Sequence, residues 1–408
     1  MVDIKRIMTR LEELAQFNAT PDKGVTRPSF TPEDRQARDW FIRCAEELGL
    51  SVRTDGAGNI FARLEAGSGP ALLTGSHLDS VPNGGKLDGA LGVVLALEMA
   101  EQLAPHKEEL LSPLELVVWS DEEGARFNTG LFGSRAATGQ VTQDELNNTR
   151  DRDGILLADA LKGFARGDIG TARLKDTDYR GYFEVHIEQG ARLIEEGFQV
   201  GIVQGIVGIA RLIVTISGEA NHAGTTPMNR RHDALHTAAR IVLATRELGL
   251  KHMPGVATVG VLKPLPGAVN VIPGEVELSI EIRHITEELI ETMVDQAESM
   301  VSAICSADGM RSAVRRIKSS QPSPTDETFR AMLTKAADQL GYSHLALPSG
   351  AGHDAQSLAR IMPIGMLFVP SIGGISHSPL EDSRPEDIEA VANVLLEAMR
   401  NVLGLSAV

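Results

Sequence analysis

The sequence predicts an α/β fold: a mostly parallel sheet covered by helices, into which a smaller ferredoxin-like domain is inserted. Three observations predict it. Nearly continuous apolar runs alternate with helical patterns towards both ends of the chain. In the middle, apolar and polar residues switch to strict alternation. The middle elements also follow one another as strand, helix, strand, strand, helix, strand.

The chain opens on MVDIKRIMTRLEELAQF, where Ile4, Ile7, Met8, Leu11 and Leu14 recur at helical spacing. An amphipathic surface helix is expected there rather than a secretory leader. A second helical stripe (Trp40, Phe41, Cys44, Leu48) makes Cys44 a core residue. Residues 71–76 (ALLTGS), 114–120 (LELVVWS) and 363–369 (PIGMLFV) read as central strands buried on both faces, with a helical pattern at 89–103 after the first. Alternation is clearest at 275–283, with Val276, Leu278, Ile280 and Ile282 on one face and Glu277, Ser279, Glu281 and Arg283 on the other. Strands at 211–216 and 256–262, a weaker one at 312–318, and helices at 231–248 and 287–304 complete the split βαβ pattern. A helix at 326–340 then resumes the first pattern. The expected division is a discontinuous larger domain, 1–207 plus 319–408, with 208–318 as the insert.

The 408 residues carry 55 acidic and 39 basic side chains, a net charge of -16, which argues against nucleic acid or an anionic membrane as partner. No apolar stretch approaches the roughly 20 residues that span a bilayer. The two cysteines, Cys44 and Cys305, are far apart, which excludes a disulfide framework and makes a reducing cytoplasm the expected compartment.

Chemistry concentrates in a few segments. GSHLDSVPNGGKLDGALG follows a buried strand and precedes a helix, so His77, Asp79 and Asp88 belong at the carboxyl edge where open α/β sheets build their sites. His and Asp without Cys suit a hydrolytic zinc, manganese or cobalt site; a polar loop with an incidental histidine is the alternative. In WSDEEGARF, three acids close an apolar strand. Such clusters are often solvated faces or helix starts, but adjacent acids can also divide labour. Glu122 or Glu123 can ligate while the other takes a proton from water. His186 in EVHIEQG, His222 in NHAGTTPM, His353 in GAGHDA and His377 in GISHSP share polar, glycine-rich settings, although any one alone is more often a surface or core histidine.

Together, His77-x-Asp79, Asp88-Gly89, Glu122-Glu123, HIEQG, HAGTTPM, GAGHDA and Ser376-His377-Ser resemble the binuclear metallo-amidohydrolases of the peptidase M20 superfamily. More narrowly they resemble its hydantoinase/carbamoylase branch of N-carbamoyl-L-amino acid hydrolases, allantoate amidohydrolases and β-ureidopropionases. The resemblance implies two divalent ions per subunit (Zn, Mn, Co or Ni): His77 and His186 hold one, Glu123 and His377 the other, and Asp88 bridges. It makes Glu122 the general base, has Asp79 orient His77 from behind, and puts Gln189, His222, Asn270, Arg283 and His353 among the substrate contacts. It also implies that the insert serves as dimerisation and lid domain of a homodimer, with His222, Asn270 and Arg283 completing the partner's site. The implied substrate is a small ureido or carbamoyl compound bearing a carboxylate. Arg283 fits that independently, since a guanidinium on the polar face of its strand can clamp a carboxylate bidentately; a cross-strand ion pair is the alternative. An M20 dipeptidase or deacylase, or a non-catalytic binding relative, stays as a rival reading.

Overall fold

The computed structural model describes residues 1–405, with Lys318 and Ser319 by their backbone alone. Residues 406–408 of the expected larger domain, and the side chain of Lys318 in the weak strand, lie outside the described residues. The chain divides into two units, residues 1–204 with 325 onward, and residues 205–324.

The first unit is built on a sheet in the order Ser51–Thr54, Ile60–Leu64, Leu114–Trp119, Ala71–His77, Tyr179–Ile187, Ile364–Val369, Val200–Ile206, with His344–Ser349 also paired to the last. The four central strands are parallel, and the flanking pairs are antiparallel. Ala71–His77, Leu114–Trp119 and Ile364–Val369 are buried at every position, as strands covered on both faces must be. One cover is the almost wholly buried helix Ala90–Leu103 with Glu327–Leu340 and Pro385–Leu403, which share one apolar core with Ile4–Ala15. The other includes the short helices Phe132–Ala137 and Asp354–Leu358. Polar side chains mark the helix starts: Asp3 accepts the N–H of Arg6, and Asp326 that of Phe329.

This topology positions the site. From Ala71–His77 the chain moves to Leu114–Trp119 on one side, then returns to Tyr179–Ile187 on the other. That reversal opens a crevice at the strands' carboxyl ends. The register aligns Thr74 with Phe183 in parallel. Three residues further along each strand stand His77 and His186, whose rings stack 5.8 Å apart.

The second unit is a four-stranded antiparallel sheet, Arg311–Ser320, Gly208–Ser217, Glu275–His284, Val256–Leu265 in spatial order, packed on Ala234–Lys251 and Glu287–Ala307. This is the ferredoxin-like arrangement. Val276, Leu278, Ile280 and Ile282 form its core with Leu212, Val214 and Ile216. The strands run a few residues longer than their sequence patterns, and the helix Ala234–Lys251 starts three residues later than the pattern at 231–248. Among the described residues, no helix is long and apolar enough to cross a membrane.

Ile280→Ala should destabilise the protein by about 2–5 kcal/mol, because it opens a cavity between sheet and helices. Glu277→Ala, on the opposite face, should change stability by no more than about 0.5 kcal/mol. Urea denaturation followed by circular dichroism checks both, and equal effects would refute the assigned facing of the strand.

Candidate metal centre

Five side chains from two strand ends and three loops converge on one point. His77 ends its strand, His186 lies one residue before the end of the adjacent strand, and Asp88 comes from the loop ahead of Ala90–Leu103. Glu123 follows Leu114–Trp119, and His377 follows Ile364–Val369. Their ligand atoms form two triplets, His77–Asp88–His186 and Asp88–Glu123–His377, each with all atoms within 4.8 Å of one another. Asp88 belongs to both.

The hydrogen bonds fix which nitrogen faces inward. His77 Nδ1–H donates to the carbonyl of Asp79 at 2.9 Å, and His186 Nδ1–H donates to the carbonyl of Ile187 at 3.1 Å. Each Nε2 lone pair is therefore directed at Asp88 Oδ1, from 3.5 and 3.2 Å. His377 Nε2 lies 3.5 Å from Asp88 Oδ2 and 3.3 Å from Glu123 Oε2. In the neutral imidazoles these lone pairs face carboxylate oxygens, and a cation between them, or a proton on nitrogen, satisfies both. Among the described residues, buried His77 Nε2 and Glu123 Oε1 have no hydrogen-bond partner, as atoms that face a metal would. An imidazole and carboxylate set without thiolate suits a hard or borderline divalent ion. The residues fit a metal.

Electrostatics agree. Burial, then repulsion from Asp88, pushes Glu123 up to about 7. Burial also raises Glu122 well above the carboxylate range, against the attraction of His77. For Asp88, burial works upward, but the imidazoles of His186, His377 and His77 hold it well below that range. The hydrogen bond to Asp88 lifts His377 to about 9. Excess buried negative charge of this kind is what a divalent cation neutralises.

The backbone is bent to serve the cluster. Gly89 (φ 63°) follows Asp88, and a β-carbon there would run into the His77 ring. Asp121, Gln189 and His377, none of them glycine, occupy the left-handed region at φ 52°, 58° and 54°, at a cost of about 1–3 kcal/mol each.

Glu122 stands beside the triplets and belongs to neither, its Oε2 3.5 Å from His77 Nε2. Asp79 meets His77 through its main chain. It orients His77 through its main-chain carbonyl, while its carboxylate oxygens accept the N–H groups of Glu122 and Glu123, both at 3.2 Å. The carboxylate comes no nearer than 3.8 Å to His77 Nδ1, because the turn after the strand presents the carbonyl instead. Gln189 donates its Nε2–H to Asp88 Oδ2 at 2.9 Å, and its Oε1 is buried without a partner. His353 is 1% exposed; its ring packs on His186 at 4.5 Å, and Ser349 hydrogen-bonds its Nε2. It thus reaches the centre as a wall behind a ligand.

Three expected residues lie in the second unit. His222 and Asn270 meet on a small ribbon, where Val271 pairs with His222 and Ala223 N–H donates to the Asn270 carbonyl. His222 Nδ1 accepts the N–H groups of Gly224 and Thr225, which leaves its proton on Nε2. Arg283 pairs with Glu281 at 2.7 Å, and Glu281 also takes Arg211 at 2.6 Å from the strand opposite. Sequence reasoning missed two buried carboxylates near the ligands, Glu184 and Glu381. Glu184 accepts Ser76 Oγ–H and Ala355 N–H. Neither has a local signal, since both read as ordinary strand or loop acids.

A parallel α/β sheet with imidazoles and carboxylates gathered at its switch point defines a metallohydrolase. The chain belongs to peptidase family M20/M25/M40, whose pattern it matches over residues 73–401, and within it to the hydantoinase/carbamoylase amidases. It is an amidohydrolase. It is 41% identical to an N-carbamoyl-L-amino acid amidohydrolase of Geobacillus stearothermophilus, over 97% of each chain. It is 38% identical to an allantoate amidohydrolase of Bacillus subtilis (strain 168), over 95% of each. A crystal structure of a hydantoinase/carbamoylase family amidase from Burkholderia multivorans superposes with a TM-score of 0.91 at 38% identity, covering 100% of this chain and 99% of that one.

Adding Zn²⁺ or Mn²⁺ at about 100 times Kd to chelator-treated protein should stabilise it by about 2.7 kcal/mol, read as a rise in Tm. Asp88→Ala, which removes the ligand common to both triplets, should abolish most of that rise. An unchanged Tm in the wild-type chain would refute the centre.

Proposed function

We propose that this chain hydrolyses a linear ureido C–N bond in a small carboxylate-bearing substrate, most favourably an N-carbamoyl-L-amino acid, yielding the amino acid, CO2 and NH3. The observation that carries the reading is Glu122, a carboxylate 11% exposed that stands beside two ligand triplets and is a member of neither. In this reading His77 and His186 would hold one ion and Glu123 and His377 another, drawn from Zn, Mn, Co or Ni, with Asp88 belonging to both sets. The chemistry such ions supply when bound is Lewis acidity, which polarises a carbonyl and acidifies water.

The rest is the work of the chain. Glu122 takes a proton from the attacking water and returns it to the leaving nitrogen as the C–N bond breaks. Asp79 holds Glu122 through its main-chain N–H, so the base is fixed before substrate arrives. Gln189 stays a substrate contact, with its unpartnered Oε1 as an acceptor for a ureido N–H. His353 backs His186. His222 offers an Nε2–H, Asn270 an amide and Arg283 a guanidinium. These are donor groups suited to the oxygens of a ureido carbonyl and a carboxylate.

The inserted unit is the dimerisation and lid domain of a homodimer in this reading. Its edge strand Val256–Leu265 is unpaired on its outer side among the described residues, and exposes Val256, Val261, Leu262 and Leu265. Such an edge is a template for pairing with a second copy. Two free cysteines support a cytoplasmic setting, and a net charge of -16 speaks against a nucleic acid partner.

Ammonia release from N-carbamoyl-L-amino acids, N-carbamoyl-β-alanine and allantoate, compared by kcat/KM, tests the substrate. The first class should lead. A lead for allantoate would favour the second reading, to which the 38% identical allantoate amidohydrolase also points. No turnover of any of the three would overturn the proposal. In the same assay Glu122→Gln should cost at least about 100-fold in kcat while metal content is kept.

Arg283→Lys should raise KM by about tenfold or more with little change in kcat, because a lysine cannot replace both bonds of a bidentate carboxylate pair, each worth about 1.5–3 kcal/mol. Unchanged KM on an acidic substrate would remove Arg283 from the site.

A further inference from the structure

One buried carboxylate outside all of these roles ties together two of the loops that deliver ligands. Glu381 follows His377 in the segment SPLEDS and is 4% exposed. Its Oε1 accepts the N–H of Leu87 and of Asp88, both at 3.0 Å. On the other side, the Ser376 hydroxyl lies within donating distance of Glu381 Oε2 and of Asp88 Oδ2, 3.0 Å from each. The 85–88 loop is folded closely around this group, since a β-carbon on Gly85 would run into the Glu381 side chain.

The two triplets need such a tie unequally. His77 and His186 stand on adjacent strand ends, and each has its ring turned by a carbonyl of its own segment. His377 has no such support. It lies in a loop, its side chain is 49% exposed, and its backbone is left-handed. Its neighbour Ser376 ties this loop to Asp88 and Glu381.

We propose that Glu381 is a positioning residue for the Asp88–Glu123–His377 triplet, holding Asp88 and the residue next to His377 in one register. The proposal rests on the two-ion reading above. Glutamine preserves the device: its amide oxygen accepts the two N–H groups, and its amide nitrogen donates to Ser376 Oγ. Alanine removes all three bonds and leaves two buried N–H groups unpaired.

Titration of the metal-depleted full chain with Co²⁺, followed by visible absorption and counted by equilibrium dialysis, tests the idea without reference to turnover. Wild type should take two equivalents. Glu381→Ala should keep the first and bind the second about 10–100-fold more weakly, as expected for a residue that orients ligands. Glu381→Gln should stay close to wild type. Gly85→Ala, which displaces the carboxylate without removing it, should also weaken the second equivalent, and it carries the test should Glu381→Ala fail to fold. Equal weakening of both equivalents, no change in either, or glutamine as damaging as alanine would overturn the proposal. A wild-type chain that binds one ion would overturn the two-ion reading, and this inference with it.

Discussion

The structure turns on the double exposure of one carboxylate. Asp88 is nearly sealed from water, yet each of its oxygens meets imidazole nitrogens, His77 and His186 at Oδ1 and His377 at Oδ2. Gln189 and Ser376 occupy further directions at Oδ2. Burying such a charge costs several kcal/mol unless opposite charge and hydrogen bonds compensate. Compensation from three directions requires three separate chain segments to arrive at one point. A parallel sheet that reverses order beside Ala71–His77 is an economical way to arrange that. In-register pairing brings His77 alongside His186, and the loops after the other strands need only short reach.

Much of this was legible in the sequence, for physical reasons. Short continuous apolar runs suit strands covered on both faces, and strict alternation at 275–283 suits a sheet with one covered face, so Ala71–His77, Leu114–Trp119, Ile364–Val369 and Glu275–His284 were legible from pattern. The ligand-bearing segments were visible because polar residues abruptly end apolar strands. The short strands Ser51–Thr54 and Ile60–Leu64 were not visible, because the first is too short and too mixed in burial to leave a period. Val200–Ile206 was hidden for another reason: glycines at 201 and 205 remove the pattern that a strand otherwise writes into side chains.

Within the site, the limit of sequence reading falls between residue type and contact atom. Asp79 was recognised as a support for His77, but a carboxylate suggests a side-chain bond, and only the turn geometry shows the carbonyl in that place. Arg283 was seen with Glu281 as a neighbour. That Glu281 is shared with Arg211 depends on strand register, which residues 70 positions apart do not reveal. Glu381 is a stronger case, since its partners lie 293 and 294 positions away and its burial is wholly tertiary.

The pair Glu122–Glu123 shows how finely the division of roles depends on backbone shape. The two acids are adjacent and chemically equivalent, yet one faces His77 and the other His377. Their N–H groups are both tied to the Asp79 carboxylate, so neither main chain can rotate to exchange places. The left-handed Asp121 immediately before them turns the chain off the strand, and a hydrogen bond from the Thr129 hydroxyl to the Asp121 carboxylate holds that turn closed. A strained residue and a buried clamp therefore set apart two acids that composition alone makes identical. In the proposed reading, the distinction between binding a cation and moving a proton is thus made by the conformation of three consecutive residues.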